Sequence, residues 1–119
     1  MSWKFDKHTP VYVQIADKIC AKIITGEYAP DEQIPSVRQL AYTAAVNPNT
    51  VQRALTELEN EGILYSKGTL GRFVTSDQRL IAEAKHRAAK QLIADFVNEA
   101  RQLSITKQEL IKMIEEEIE

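Results

Sequence analysis

Asn47-Pro48-Asn49-Thr50-Val51-Gln52-Arg53-Ala54-Leu55 is the stretch that decides the fold. Asn47 carries a side-chain oxygen that can accept an N–H of the turn that follows it. Pro48 loses nothing at a first helical position, where the amide has no intrahelical partner. A helix therefore starts here. Val51, Leu55 and Leu58 recur on one side of it, Ala54 allows close packing beside them, and Gly62 stops it. Upstream, Ser36 and Gln39 have the S-x-x-Q spacing of a capping box, so a shorter helix begins at Ser36. Val37, Leu40 and Ala41 give it a buried stripe, and it ends near Ala44 or Ala45. Two short helices joined by about three residues make a helix-turn-helix.

Downstream, Ile63-Leu64-Tyr65-Ser66 and Arg72-Phe73-Val74-Thr75 flank Lys67-Gly68-Thr69-Leu70-Gly71. Strand formers on both sides of a Gly-containing turn predict a β-hairpin, and a hairpin directly after a helix-turn-helix is the wing of a winged helix. Upstream, Thr9-Pro10 opens a first helix, with Thr9 as its expected cap. Val11, Ile15, Ile19 and Ile23 lie at helical spacing with Ala16 beside them, Gly26 ends the helix, and Tyr28 to Glu32 read as a turn.

From about Ser76 the pattern becomes a long amphipathic helix. Ile81, Ala84, Ala88, Leu92, Phe96 and Ala100 line one side, and Ile93, Val97 and Leu103 widen it. Thr106 and Glu109 form a second capping box, with Ile105 and Leu110 placed as a hydrophobic staple around it. Leu110, Ile111, Ile114 and Ile118 give the last helix its apolar side. The expected fold is mainly α with a small β-hairpin: a winged helix-turn-helix over residues 1–75, then a two-helix antiparallel hairpin over residues 76–119.

The single cysteine, Cys20, excludes an intramolecular disulfide and suits a reducing cytoplasm. No run approaches the roughly 20 apolar residues of a membrane span. The stretch from Met1 to Asp6 has no apolar signal core. The net charge of −2 argues against a protein whose whole surface serves nucleic acid. Distribution decides more than the sum. Between Pro35 and Thr75 the cations Arg38, Arg53, Lys67 and Arg72 are spread along the chain, while the acids are confined to Glu57, Glu59 and Glu61. A local cationic face is compatible with a nearly neutral chain. His8, His86 and Cys20 have no metal-ligand spacing, and no nucleophile–base signature or phosphate-binding glycine loop is present. No metal, cofactor or enzymatic activity is expected. Trp3, Phe5, Tyr12, Tyr28 and Tyr42 are read as packing residues, and Cys20, among isoleucines, as a buried thiol.

Several of these strings together resemble the GntR family of bacterial regulators. Ile34-Pro35-Ser36-Val37-Arg38-Gln39-Leu40-Ala41 is similar to its second-helix signature, and Asn47 to Leu55 to its recognition helix. Glu61-Gly62, Gly68 and Gly71-Arg72-Phe73-Val74 are similar to its wing, and Pro10-Val11-Tyr12-Val13-Gln14-Ile15 with Gly26-Glu27-Tyr28 fits its opening. Most members carry a large effector domain after the wing. Two helices stand there instead, which resembles the YtrA subfamily, whose short helical tail serves dimerisation and whose members often repress operons encoding ABC transporters.

The resemblance implies a DNA surface made of particular residues. Arg38 sits where members place a DNA-contacting arginine. Ser36 caps its helix and borders amides that can meet a phosphate. Members often carry arginine at the positions of Pro48 and Gln52; here the readers are Asn49, Thr50 and Gln52, polar side chains of which Asn and Gln pair with adenine edges. Arg53 is a further candidate, with Glu57 one turn later as a competing partner. In the wing, Lys67, Gly68, Thr69 and Arg72 are candidates, because family wing tips enter the minor groove. The tail stripe of Ile81, Ala84, Ala88, Leu92, Phe96, Ala100, Leu110, Ile114 and Ile118 is assigned to dimerisation. The expected function is a homodimeric repressor on a near-palindromic operator upstream of its own operon. Two rivals stay open at the level of sequence: a winged helix used for protein–protein interaction, and a regulator with a small-molecule effector in the dimer cleft.

Overall fold

The computed structural model describes residues 3–119; Met1 and Ser2, part of the N-terminal stretch in which no signal core is expected, lie outside the described residues. Five helices and one hairpin follow in chain order: α1 (Val11–Ile24), α2 (Val37–Ala44), α3 (Pro48–Asn60), β1 (Leu64–Ser66), β2 (Arg72–Val74), α4 (Gln78–Gln102) and α5 (Lys107–Glu117). Among the described residues, no helix is long and apolar enough to cross a membrane.

The chain divides into two compact units, with the division inside α4 between Lys85 and His86. The first unit is built on one core. Ile15, Ile19 and Ile23 from α1 meet Leu40 and Ala41 from α2, Val51, Ala54, Leu55 and Leu58 from α3, and Ile63, Leu64 and Val74 from the wing. These are the apolar positions the helical and strand periodicities select. Trp3, Phe5, Tyr12 and Tyr28 pack against that core, half-buried, as does Cys20. Tyr42 does not: it stands on α2 with 90% of its surface exposed, a correction to its reading as a packing residue.

The helix ends follow their local chemistry. The Ser36 hydroxyl accepts the Gln39 amide at 3.2 Å, and the Gln39 side chain accepts the Ser36 amide at 2.8 Å, which completes the capping box. The Asn47 side chain accepts the Asn49 amide at 2.7 Å, with Pro48 at the first helical position. Thr9 is not a cap. Pro10 occupies the cap position of α1 without a side-chain bond, while the Asp6 carboxylate accepts the amides of His8 and Thr9. Asp6 thus closes the turn that leads into α1 rather than capping the helix.

The hairpin pairs Leu64 with Val74, Tyr65 with Phe73 and Ser66 with Arg72, antiparallel. It has a third member. Residues 31–34 run beside β2: the Asp31 amide donates to the Val74 carbonyl, the Val74 amide to the Glu32 carbonyl and the Ile34 amide to the Arg72 carbonyl, with Gln33 bridged to Phe73. The sequence reads this stretch as turn and connection, because its pairing partner lies about forty residues away and short strands carry little signal of their own.

The start of α4 belongs to the first unit. Ala84 is 4% exposed and part of its core, and Leu80 and Ile81 pack against the same core. Ile81 and Ala84 are therefore corrected from dimerisation residues to core residues of the winged helix. The unit extends through Lys85 rather than ending at residue 75. The first turns of α4 continue the same apolar stripe that serves the second unit, so periodicity alone shows no break there.

The second unit is a helical hairpin. Thr106 caps α5 through a complete capping box with Glu109. Ile105 and Leu110 are half-buried on either side of that cap, and Ala100 is buried beneath the connection. No residue of α5 is buried. Phe96, Ala100, Leu103, Ile105, Leu110, Met113 and Ile114 line an open apolar groove of about 380 Å³.

Candidate nucleic-acid interface

In α3 the buried residues Val51, Ala54, Leu55 and Leu58 fix which side of the helix faces out. At 100° per residue the opposite side carries Asn49, Gln52, Arg53 and Thr56, all exposed. Thr50 lies at the margin, half-buried, on the side that meets α1. A helix whose first turns present amides and a guanidinium to solvent can enter a major groove, where such groups read base edges and phosphates. The Thr56 hydroxyl instead donates to the Gln52 carbonyl one turn back, at 2.9 Å.

On α2, Arg38, Gln39, Tyr42 and Thr43 line an outward face with Pro35. The Ser36 cap sets where α2 starts, and Arg38 follows in its first turn, exposed. The Ser36 hydroxyl accepts the Gln39 amide, which fixes the helix start and leaves its own O–H as a donor. Residues 45–47 connect α2 to α3. Ala45 is left-handed there, at φ 58°, and its amide bonds back to the Tyr42 carbonyl at 3.3 Å.

Arg53 takes a partner the sequence does not announce. Its guanidinium carbon lies 3.8 Å from the centre of the Tyr12 ring, a close cation–π stack. The competing partner named from the sequence, Glu57, does not supply an ion pair to it among the described residues.

The wing is braced from three sides. Arg72 Nε donates to the Glu59 carboxylate on α3, which also accepts the Ser66 hydroxyl at 3.1 Å. Arg72 is therefore corrected from a DNA contact to a strut between wing and recognition helix: its side chain is largely covered and its charge is paired. Tyr65 and Phe73 stack with ring centres 5.8 Å apart, and the Lys67 ammonium lies 4.8 Å from the Phe73 ring centre. The Tyr65 hydroxyl donates to Asp31 at 2.7 Å, and that bond raises its pKa and keeps it a neutral donor. The Gln33 side-chain amide donates to the Leu70 carbonyl at the tip. Gly71, at φ 122°, makes that contact feasible, since a Cβ there would come within 2.8 Å of Gln33 Nε2. At the tip itself Gly68 has a φ of 50° and nothing within 4 Å of a Cβ position, so its backbone is open to approach. Thr69 and Leu70 are exposed beside it.

The structure thus brings Arg38, Asn49, Gln52 and Arg53 to outward faces of two adjoining helices, with Lys67, Gly68 and Thr69 at the wing. A model of the gntR family of bacterial regulatory proteins matches residues 11–74, which covers α1 to β2. The chain belongs to the gntR family. Among gntR relatives, it is 30% identical to the transcriptional repressor YtrA of Bacillus subtilis, over 91% of this chain and 84% of that one. It is also similar to a solved gntR-family regulator from Listeria monocytogenes, with a TM-score of 0.84 and 38% identity over 94% of this chain and 98% of that one. The DNA-binding domain of AraR, solved in complex with its operator ORX1, aligns with 60% of this chain and 93% of that chain at a TM-score of 0.57 and 30% identity. The gntR assignment makes the chain a YtrA-like transcription regulator with a winged helix-turn-helix DNA-binding domain, in a family of regulators rather than enzymes.

Proposed function

We propose that the chain is a repressor that binds, as a homodimer, a near-palindromic operator upstream of its own operon, and that this operon encodes an ABC transporter. The observation that carries the DNA reading is the outward face of α3, where Asn49, Gln52 and Arg53 stand exposed behind a capped and proline-started N-terminus. Arg38 supplies phosphate neutralisation from α2, Asn49 and Gln52 read base edges from α3, and Thr50 contacts the DNA at the margin of that face. Lys67, Gly68 and Thr69 approach the minor groove. Repression follows from occupancy of a promoter in the cytoplasm.

The homodimer is supported by the second unit. Leu92, Leu103 and Ile118 are 70%, 73% and 73% exposed, a large apolar exposure for so small a hairpin. Ala88, Leu92, Phe96, Ile114 and Ile118 form its available surface, with Ala100 and Leu110 supporting it from within. A two-fold pairing sets two recognition helices on successive half-sites about 34 Å apart.

Fluorescence anisotropy with DNA from upstream of the operon, beside a scrambled duplex and across a salt series, tests this. The expected result is a preference for the native duplex of about 10³-fold or more, weakened by salt. Arg38→Ala lowers affinity for both duplexes and reduces the salt slope by about 1. Equal weak binding to both duplexes overturns the operator assignment.

A further inference from the structure

Tyr12 is the second residue of α1, far from the recognition helix in sequence, yet its ring lies under the guanidinium of Arg53 at 3.8 Å. The ring is half-buried and packed on the core of the first unit, so it is a fixed surface rather than a mobile one. A cation–π contact engages the charge of a guanidinium and none of its five N–H donors. The stack therefore removes rotamer freedom from a long side chain without consuming its hydrogen-bonding capacity. It also sets a direction. Arg53 is drawn toward α1 and away from Gln52, which lies on the other flank of the outward face. Val11, Tyr12, Asn49, Thr50 and Arg53 together line an open hollow of about 390 Å³ at the start of α3. A side chain displaced to that margin of a helix in a major groove faces the wall of the groove, where the phosphates run, and not its floor.

We propose that Tyr12 is a positioning residue for DNA binding: it holds Arg53 pre-oriented so that a backbone phosphate docks in the hollow beside Asn49 and Thr50. This rests on the DNA-binding reading above. It assigns Arg53 to the sequence-independent part of the affinity and makes α1 a contributor to it.

The test uses the full chain, with anisotropy on the native and scrambled duplexes across a salt series. Arg53→Ala weakens both duplexes by a similar factor and reduces the salt slope by about 1. Tyr12→Phe keeps the ring and binds as the wild type does. Tyr12→Leu keeps apolar bulk without a π face and weakens both duplexes by roughly 2–10-fold, the cost of ordering one long side chain on binding. Combining Tyr12→Leu with Arg53→Ala is no worse than Arg53→Ala alone. Thermal melting checks that Tyr12→Leu folds. Should it not, Arg53→Lys replaces it: the charge and the salt slope remain, but affinity falls because an ammonium cannot stack flat. Tyr12→Leu at wild-type affinity, additive losses in the double variant, or an Arg53→Ala defect confined to the native duplex overturns the proposal while leaving the regulator reading intact. A wild-type protein with no salt-dependent binding to any duplex overturns both.

Discussion

Arg72 and Arg38 are the same residue type within one DNA-binding unit, and their surroundings give them opposite work. Arg38 is exposed on α2, whereas Arg72 is paired with Glu59 under partial cover. A largely but not fully covered pair lies between the surface limit of about 0–1 kcal/mol and the buried limit of about 3–5 kcal/mol for removing one partner. Arg72→Ala is therefore expected to lower Tm, at roughly 4–8 °C per kcal/mol in a unit of this size. Its DNA salt slope is expected to stay at the wild-type value, because the guanidinium is held by Glu59. A slope reduced by about 1 would return Arg72 to the DNA surface. Gly71 argues the same point about the wing. Gly71→Ala places a Cβ against Gln33 and strains a φ of 122°, so it loosens the tip and weakens DNA binding while the helical core stays folded. Circular dichroism beside anisotropy separates the two effects.

At the scale of elements, α2 ends on a residue that suits it poorly. Ala45 is left-handed at φ 58°, a conformation that costs a Cβ-bearing residue roughly 1 kcal/mol and glycine almost nothing. Ala45→Gly is expected to raise Tm by several degrees with DNA affinity unchanged; a fall in Tm would mean that the Ala45 methyl packs where the left-handed turn leaves it. This helix end also shows what a sequence reveals. Ser36 with Gln39, Asn47 with Pro48, and Thr106 with Glu109 are local signals, each closed within four residues, and each is where the structure caps a helix. The buried stripes of α1, α2 and α3 were equally legible, because a 3.6-residue period needs no partner to be seen. Elements set by distant partners were not. The pairing of residues 31–34 with β2, the Arg53–Tyr12 stack and the Arg72–Glu59 strut depend on positions brought together only by folding. Tyr42 misled for the converse reason: its size suggested burial, while its place on α2 faces out.

At the scale of the whole molecule, the two units differ in how well each satisfies itself. The first closes a core from three helices, the wing and the start of α4. The second leaves α5 without a buried residue and keeps Phe96 and Ile114 partly open along a groove. A hairpin this small cannot bury enough apolar surface alone to offset the entropy of ordering it. In the proposed homodimer a second copy supplies the missing cover, and dimerisation is then part of the tail's folding. Two measurements follow from that coupling. Sedimentation at micromolar concentration shows a dimer, and a monomer there removes the pairing model. Melting of the tail shifts upward with protein concentration, whereas a core closed within one chain would not. Replacing Phe96 and Ile114 together by Glu puts charge in the apolar seam. The variant sediments as a monomer, and its winged helix stays folded because none of its core residues is touched. Its operator affinity falls by about 10²–10⁴-fold, the advantage lost when two half-site contacts are no longer linked. Affinity for the scrambled duplex falls much less, since a single winged helix still neutralises phosphates. A dimeric variant with intact operator binding would place the two-fold contact outside this groove.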